Sequence, residues 1–364
     1  MTLPGAELES KPPRLDSQTM STQRIGILGG SGFVGTQLVS LLAARGHYVR
    51  VLSRRREAAR DLLLLPTVEV VDADVHDPQT LLRQFRGLDA VINLVGILHE
   101  GKRSRVDRPA ARRGDFQHVH VELPRKVVHA MGEAGVRRLL HMSALGANPN
   151  SRSAYQRSKG IGEALVREAG RRHVEHEKWY LDGPKFVHGY GLDVTVFRPS
   201  VIFGRGDSFL SMFAGLLKLS PVVPLASARA RFAPVHVEDV ARAFADSLDH
   251  PATVGAAYDL CGPHAYTLLE LVRYVGELTG HRRTVVALGD ALSYLQAWAL
   301  ELKPGRTLMT RDNFFAMTVD NVCTGGWPTV FDFQPTALEA IAPEYLSAKT
   351  PRARYERFRE QAHR

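Results

Sequence analysis

The run Gly29-Gly30-Ser31-Gly32-Phe33-Val34-Gly35 constrains this chain more than any other feature. It directly follows the apolar run 24–28 and opens a segment, 33–45, whose Val34, Leu38, Leu41 and Leu42 share one helical face. The glycines at 29, 32 and 35 stand in GxxGxxG spacing. A chain that turns this sharply from strand to helix must bring backbone N–H groups up to a pyrophosphate and pack the helix on the sheet, so it leaves no room for side chains there. The helix N-terminus adds a dipole that favours an anion. In this strand–turn–helix context the run predicts a dinucleotide cradle, with Ser31, Phe33 and Val34 as its remaining members.

The alternation continues along the chain. Short apolar runs at 49–53, 68–72, 90–94, 138–143 and 194–198 read as buried parallel strands. Helix-like segments at 78–87, 116–134 and 155–169 lie between them, with Gly46 and Gly135 where helices should stop. This order predicts an α/β chain with a doubly wound parallel (Rossmann) sheet over 24–200. After Arg198 the rhythm breaks at Pro199, Gly204, Gly206, Pro221 and Pro224. A smaller, irregular C-terminal α/β lobe is expected over 201–346, with some segments returning to the core. Residues 1–23 read as a flexible leader, 171–191 as an inserted surface loop and 347–364 as a basic tail. The apolar stretch 209–220 reads as a docking helix or, more simply, as a core helix with Lys218 turned outward.

The end of the second strand bears on which dinucleotide is held. Where NAD sites place an acid about 20 residues past the glycines, this chain has Ser53-Arg54-Arg55-Arg56. A serine and arginines suit a 2′-phosphate, so Ser53 and Arg54 are the expected readers and NADP(H) is favoured, with NAD(H) open. Asp74 after the third strand is placed to accept from an adenine amino group with Val75 on the ring, or to cap a helix. Asn93-Leu94-Val95-Gly96 ends the fourth strand, where the carboxyl edge of such a sheet lines the ligand crevice.

Tyr155 and Lys159 form a YxxxK, and residues four apart share a helical face. A lysine there can lower the phenol pKa and bind nicotinamide ribose hydroxyls, while the tyrosine moves a proton as hydride moves at a carbonyl carbon. Ser143 is the expected hydroxyl helper. The next residues, Ala144 and Leu145, offer no second hydrogen-bonding side chain, which weakens a catalytic constellation.

With these residues assembled, the chain resembles the short-chain dehydrogenase/reductase superfamily in its extended or atypical branch. GGSGFVG, NLVG, the YxxxK and Arg198–Gly204 (RPSVIFG) are the landmarks. More narrowly it is similar to bacterial relatives of the thirty-nine-kilodalton nucleotide-binding accessory subunit of mitochondrial complex I, through 93–98, 143–147, 198–207, 232–241 and 304–323. The resemblance implies a tightly bound NADP(H), structural rather than turned over, and a role in quinone respiration or ubiquinone biosynthesis. It implies cofactor contacts at Gly29, Gly32, Gly35, Ser53, Arg54, Asp74, Val95 and Lys159, with Pro199 positioning the nicotinamide end through its backbone. The insert 171–191 is longer than the family's connection and is expected near the substrate side.

The charge narrows the remaining classes. The chain carries +9 and a pI near 9.7, which invites nucleic acid. The excess sits wholly in 101–114, net +5, and in 345–364, net +4. With no aromatic-rich basic motif or helix-turn-helix signature, a nucleic-acid partner is not expected. Those segments point instead to an anionic membrane surface or a respiratory-complex subunit. The working alternatives are an active NADP(H)-dependent oxidoreductase of a carbonyl and, below it, a nucleotide-sugar epimerase. No segment has the length of a signal peptide or membrane span, and Cys261 and Cys323 are far apart in sequence and fit a reducing compartment. The expected location is cytoplasmic, peripheral at most on the inner membrane face, and not secreted. His173, Glu175, His176 and Glu177 read as a solvated loop rather than a metal site, and His236 as a packing residue.

Overall fold

The computed structural model describes residues 22–54, 56–100, 115–171, 190–302 and 309–347. Its frame is a seven-stranded sheet built from β1 (Arg24–Leu28), β2 (Tyr48–Ser53), β3 (Val68–Asp72), β4 (Ala90–Asn93), β5 (Arg138–Met142) and β6 (Asp193–Pro199), with one later strand beside β6. The strand cores are apolar without alternation because helices cover both faces. Every residue of β4 is buried, and so is all of β1 after Arg24. On one face α1 (Phe33–Ala44) buries Val34, Leu38, Val39 and Leu42. On the other, α2 (Pro78–Phe85), α4 (Leu123–Ala134) and α5 (Ala154–Ala169) pack Leu81, Phe85, Leu123, Val127 and Val166 into a second core. Ahead of α4 a short α3 (Asp115–Gln117) runs into a π-helical turn, His118–Glu122. A 3-10 segment, Arg56–Leu64, joins β2 to β3.

The C-terminal part carries β7 (Ile202–Phe203), α6 (Phe209–Leu219), β8 (Val222–Leu225), β9 (Arg231–Phe232), β10 (Val235–His236) and α7 (Val237–Leu248). β11 (Ala257–Leu260) then pairs in parallel with β6 and completes the sheet in the order β11-β6-β5-β4-β1-β2-β3. β12 (Tyr266–Thr267), α8 (Leu268–Thr279), β13 (Thr284–Ala287), α9 (Asp290–Leu302), α10 (Arg311–Ala316) and α11 (Leu338–Leu346) follow. The return of β11 to the sheet is hidden in the sequence because Ala257-Tyr258-Asp259-Leu260 is too short and mixed to read as a core strand.

Several expectations resolve here. The stretch 209–220 is a core helix: Leu210, Phe213 and Leu217 are buried with Leu271, Val272 and Val275, and Lys218 faces out. His236 lies in β10, its ring 5.3 Å from that of Phe203. The insert between α5 and β6 is anchored at the amino edge of the sheet, where Leu192 N donates to Ala169 O. A helix-to-strand connection in a parallel sheet returns to that edge, so the described ends of the insert lie away from the carboxyl edge. Cys261 and Cys323, read from the sequence as fitting a reducing compartment, are paired. They form a disulfide across 62 residues of sequence, because Cys261 follows β11 and the chain around Asn321 returns alongside β9. The leader up to residue 21, the basic segment 101–114, most of the insert and the tail from residue 348 lie outside the described residues.

Candidate functional site

The cradle is built almost entirely from backbone. β1 delivers Gly29 at φ +82°, a conformation that strains any side chain. Gly32 N donates to Gly29 O at 3.0 Å and closes the turn. A Cβ on Gly35 would stand 2.3 Å from Gly29 O and 2.6 Å from Gly30 Cα, so only glycine lets α1 seat on that turn. The N-terminus of α1 has no side-chain cap, whereas α2 is capped by Asp77. Its first amides are left for an anion, with the dipole behind them. A Cβ on Gly29 would lie 3.2 Å from both Leu94 C and Val95 N, so the turn abuts the end of β4. Phe33 meets the 199–207 segment, since a Cβ on Gly204 would lie 3.5 Å from Phe33 Cζ. Val34 is buried in the core, so its part in the cradle is its backbone.

At the carboxyl end of the second strand, Ser53 is buried at the tip of β2 and Arg54 is exposed beyond it. Asp72, also exposed, stands opposite Ser53 in the β2–β3 register, so this edge holds a carboxylate that the end of the second strand does not reveal. Asp74 Oδ1 accepts from His76 N at 2.9 Å and closes its own turn. Val75 is buried with Leu28, Leu52 and Leu81. Asn93 is spent within the protein: its Oδ1 accepts from Val95 N at 3.2 Å and its Nδ2 donates to His141 Nδ1 at 3.3 Å. It shapes the crevice wall that Val95 and Gly96 expose.

The Tyr155–Lys159 half is held by distant residues. Lys159 is buried and its Nζ donates to Met142 O at 3.1 Å. A Cβ on Gly96 would lie 3.0 Å from that Nζ, which places the ammonium at the β4 wall of the crevice. Burial pulls the Lys159 pKa down to about 8. Burial pushes the Tyr155 phenol up to about 12. The rise comes from desolvation, which disfavours the phenolate. Tyr155 stays protonated at neutral pH and is a donor. Ser143 is buried and its Oγ has no hydrogen-bond partner, as a hydroxyl kept for a ligand would be. Pro199 ends β6, and its carbonyl accepts from Leu145 N at 3.0 Å.

Three residues outside the sequence motifs complete this half. His120 sits in the π-helical turn, a local irregularity common at functional sites. Its Nε2 accepts from Ile97 N at 3.1 Å, so Nδ1 carries the proton and donates to Ser158 Oγ at 2.9 Å, and Ser158 Oγ donates to Tyr155 O at 2.9 Å. Burial, then the charges of Lys159 and His141, hold His120 down to about 2, so the ring is neutral. Gly162 lets α5 lie on that turn, since a Cβ there would stand 1.9 Å from His120 O. Asn321 bridges two loops: its Oδ1 accepts from Ser200 Oγ at 2.6 Å and Val201 N at 3.2 Å, and its Nδ2 donates to Leu145 O at 3.3 Å. Asp312 reaches the start of α5, where Tyr155 N donates to it at 3.1 Å. A histidine in the right turn before a YxxxK was a usable signal. Nothing local marks Asn321 or Asp312.

An uncapped helix end, a turn that any Cβ would fill and an orphaned buried hydroxyl fit a dinucleotide lying from Arg54 to Lys159. Among the described residues no group of three or more metal-ligating side chains and no helix able to cross a membrane is found.

Comparison with known proteins agrees with this geometry. The chain is 29% identical over 332 residues to the mouse (Mus musculus) protein NADH dehydrogenase [ubiquinone] 1 alpha subcomplex subunit 9, mitochondrial, covering 88% of this chain and 78% of the relative. It is 29% identical over 283 residues to a ceramide reductase of Caulobacter vibrioides, covering 76% of this chain and 78% of the relative. The fold matches an NADPH-dependent quinone oxidoreductase of Escherichia coli solved with NADPH, at TM-score 0.64 and 19% identity over 88% of this chain and 99% of that one. Residues 25–261 match the model of the NAD dependent epimerase/dehydratase family, an extended short-chain dehydrogenase/reductase group, and the chain belongs to that family.

Proposed function

We propose that this chain binds NADP(H) in the Gly29–Gly35 cradle and serves quinone-linked respiration, with a site that retains the groups needed for reduction of a carbonyl. The reading is carried by Lys159, whose Nζ is held on Met142 O beside Gly96, on the same helix as a protonated Tyr155. Arg54 and Ser53 would take the 2′-phosphate end, the amides of α1 the pyrophosphate, and Lys159 the nicotinamide ribose hydroxyls. When bound, the dinucleotide supplies a hydride to a carbonyl carbon. Tyr155 then gives its phenolic proton to the carbonyl oxygen, Ser143 Oγ donates a hydrogen bond to that oxygen, and the Lys159 ammonium stabilises the phenolate left behind. The neutral His120 orders the helix start through Ser158 and does not compete for the proton.

The relatives support a respiratory setting, since one is a subunit of NADH dehydrogenase [ubiquinone] and a fold neighbour is an NADPH-dependent quinone oxidoreductase. On this reading the protein works at the inner face of a quinone-containing membrane, meeting anionic lipid or a respiratory subunit through 101–114 and 345–364. A purely structural cofactor is the second reading, favoured by Ala144 and Leu145, which are buried and offer no second hydroxyl. The test is to purify the protein gently, identify the nucleotide that co-purifies, and follow NADPH oxidation with short-chain quinones and other carbonyl acceptors. Oxidation that falls at least about a hundredfold in Tyr155→Phe supports the active reading. Bound NADPH with no turnover on any acceptor leaves the structural one, and failure to bind NADPH overturns both.

A further inference from the structure

α5 begins at the residues that carry the chemistry, and its first turn is held by two sources. Ser153 is the N-cap, and its Oγ accepts from Gln156 N at 3.3 Å. The amides one and two residues on, Ala154 N and Tyr155 N, donate instead to the carboxylate of Asp312. Ser153 Oγ donates to the same carboxylate at 3.0 Å. One side chain from far along the chain therefore satisfies the donors that the helix start leaves open, including that of Tyr155 itself. A carboxylate suits the positive end of the helix dipole.

Asp312 is itself fixed. It lies in α10, whose start is a capping box between Thr310 and Asn313. Arg311, beside it, pairs with Glu301 of α9 at 2.7 Å. Gln156 Nε2 donates to Ala316 O at 3.3 Å, a second tie between α5 and α10. Further along α5, Glu163 is bound by Arg198 of β6, so the middle of the helix is anchored independently of its start.

We propose that Asp312 is a positioning residue for the Tyr155–Lys159 pair: it sets the first turn of α5 and thereby the place of both side chains in the crevice. The proposal rests on the reading of that pair given above. It brings Asp312, 157 positions beyond Tyr155 in sequence, into the support of that site. Because Arg198 holds Glu163, loss of Asp312 frays the first turn without releasing the helix, and the cradle on β1 and α1 keeps its geometry.

The test uses the full chain and the variants Asp312→Ala and Asp312→Asn, the second retaining one acceptor oxygen. Hydrogen exchange read by mass spectrometry should speed up about tenfold in the peptide covering 153–158 in Asp312→Ala, less in Asp312→Asn, with no change over 24–44. NADPH affinity measured against pH should weaken as pH rises through about 8 in the native chain, where Lys159 loses its proton. In Asp312→Ala that midpoint should move alkaline, because a frayed turn lets water reach Lys159 and relieves its desolvation, and Asp312→Asn should fall between. Unchanged exchange over 153–158, or a midpoint that stays put in a chain that binds NADPH, overturns the proposal. Absence of NADPH binding by the native chain sinks the functional reading instead, and the exchange arm still decides Asp312. If Asp312→Ala does not fold, Asp312→Asn carries both arms.

Discussion

The two halves of the crevice are made in opposite ways. The cradle is local: seven consecutive residues, closed by Gly32 N on Gly29 O and by the Gly35 contact, present backbone to the ligand. The Tyr155–Lys159 half is assembled: its helix start is ordered by His120 through Ser158, by Asp312 and by Gln156 on Ala316, while Asn321 ties the neighbouring loops. A phosphate needs donors in a tight ring, which backbone supplies without help. Proton transfer needs particular side chains at particular depths, and depth is a property of the packed protein.

Gly35→Val should abolish measurable NADPH binding, at least about a hundredfold, because its side chain would occupy the space of Gly29 O and Gly30. Titration by nucleotide fluorescence checks this, and binding within tenfold of native would show that the cradle is not where the dinucleotide sits.

The assembled half should fail first in acid. His120 and His141, held down by burial to about 2 and about 3, stay neutral in the fold but protonate once unfolded near the ordinary value of 6.5. Their contribution to stability is present above 6.5 and is lost as pH falls toward their folded values, at about 1.4 kcal/mol per pH unit for each. Denaturant melts between pH 7 and 4.5 measure the slope, and His141→Gln should flatten it by about half of what the pair contributes. A slope unchanged by that substitution would remove His141 from the account.

A smaller loss is expected at Asn321→Ala, which strips partners from Ser200 Oγ, Val201 N and Leu145 O. The stability cost should be about 2 kcal/mol, read as a lower thermal midpoint, with NADPH affinity little changed. The smallest effect separates the two dinucleotides. Arg54→Ala should weaken NADPH about tenfold and leave NADH unaffected, because only the former carries the 2′-phosphate. Equal losses for both would return the choice to NAD(H), with Asp72 as the group at the ribose.

The sequence carries the strand–helix alternation, the cradle and the pairing of Tyr155 with Lys159 on one helix, because each is written in neighbouring residues and short periods. It left Asp312, Asn321 and the entry of β11 into the sheet unmarked, since these contacts join residues more than a hundred positions apart or a strand of four mixed residues. Val75 and Asn93 are at the right strand ends, yet only packing decided that their side chains turn inward. The disulfide was hidden for the same reason: sequence separation says nothing about distance once a chain returns on itself. Tertiary structure alone also set the protonation of the pair. Burial raises a phenol and lowers an ammonium, and the depth that does so exists only after the helices have closed over the crevice.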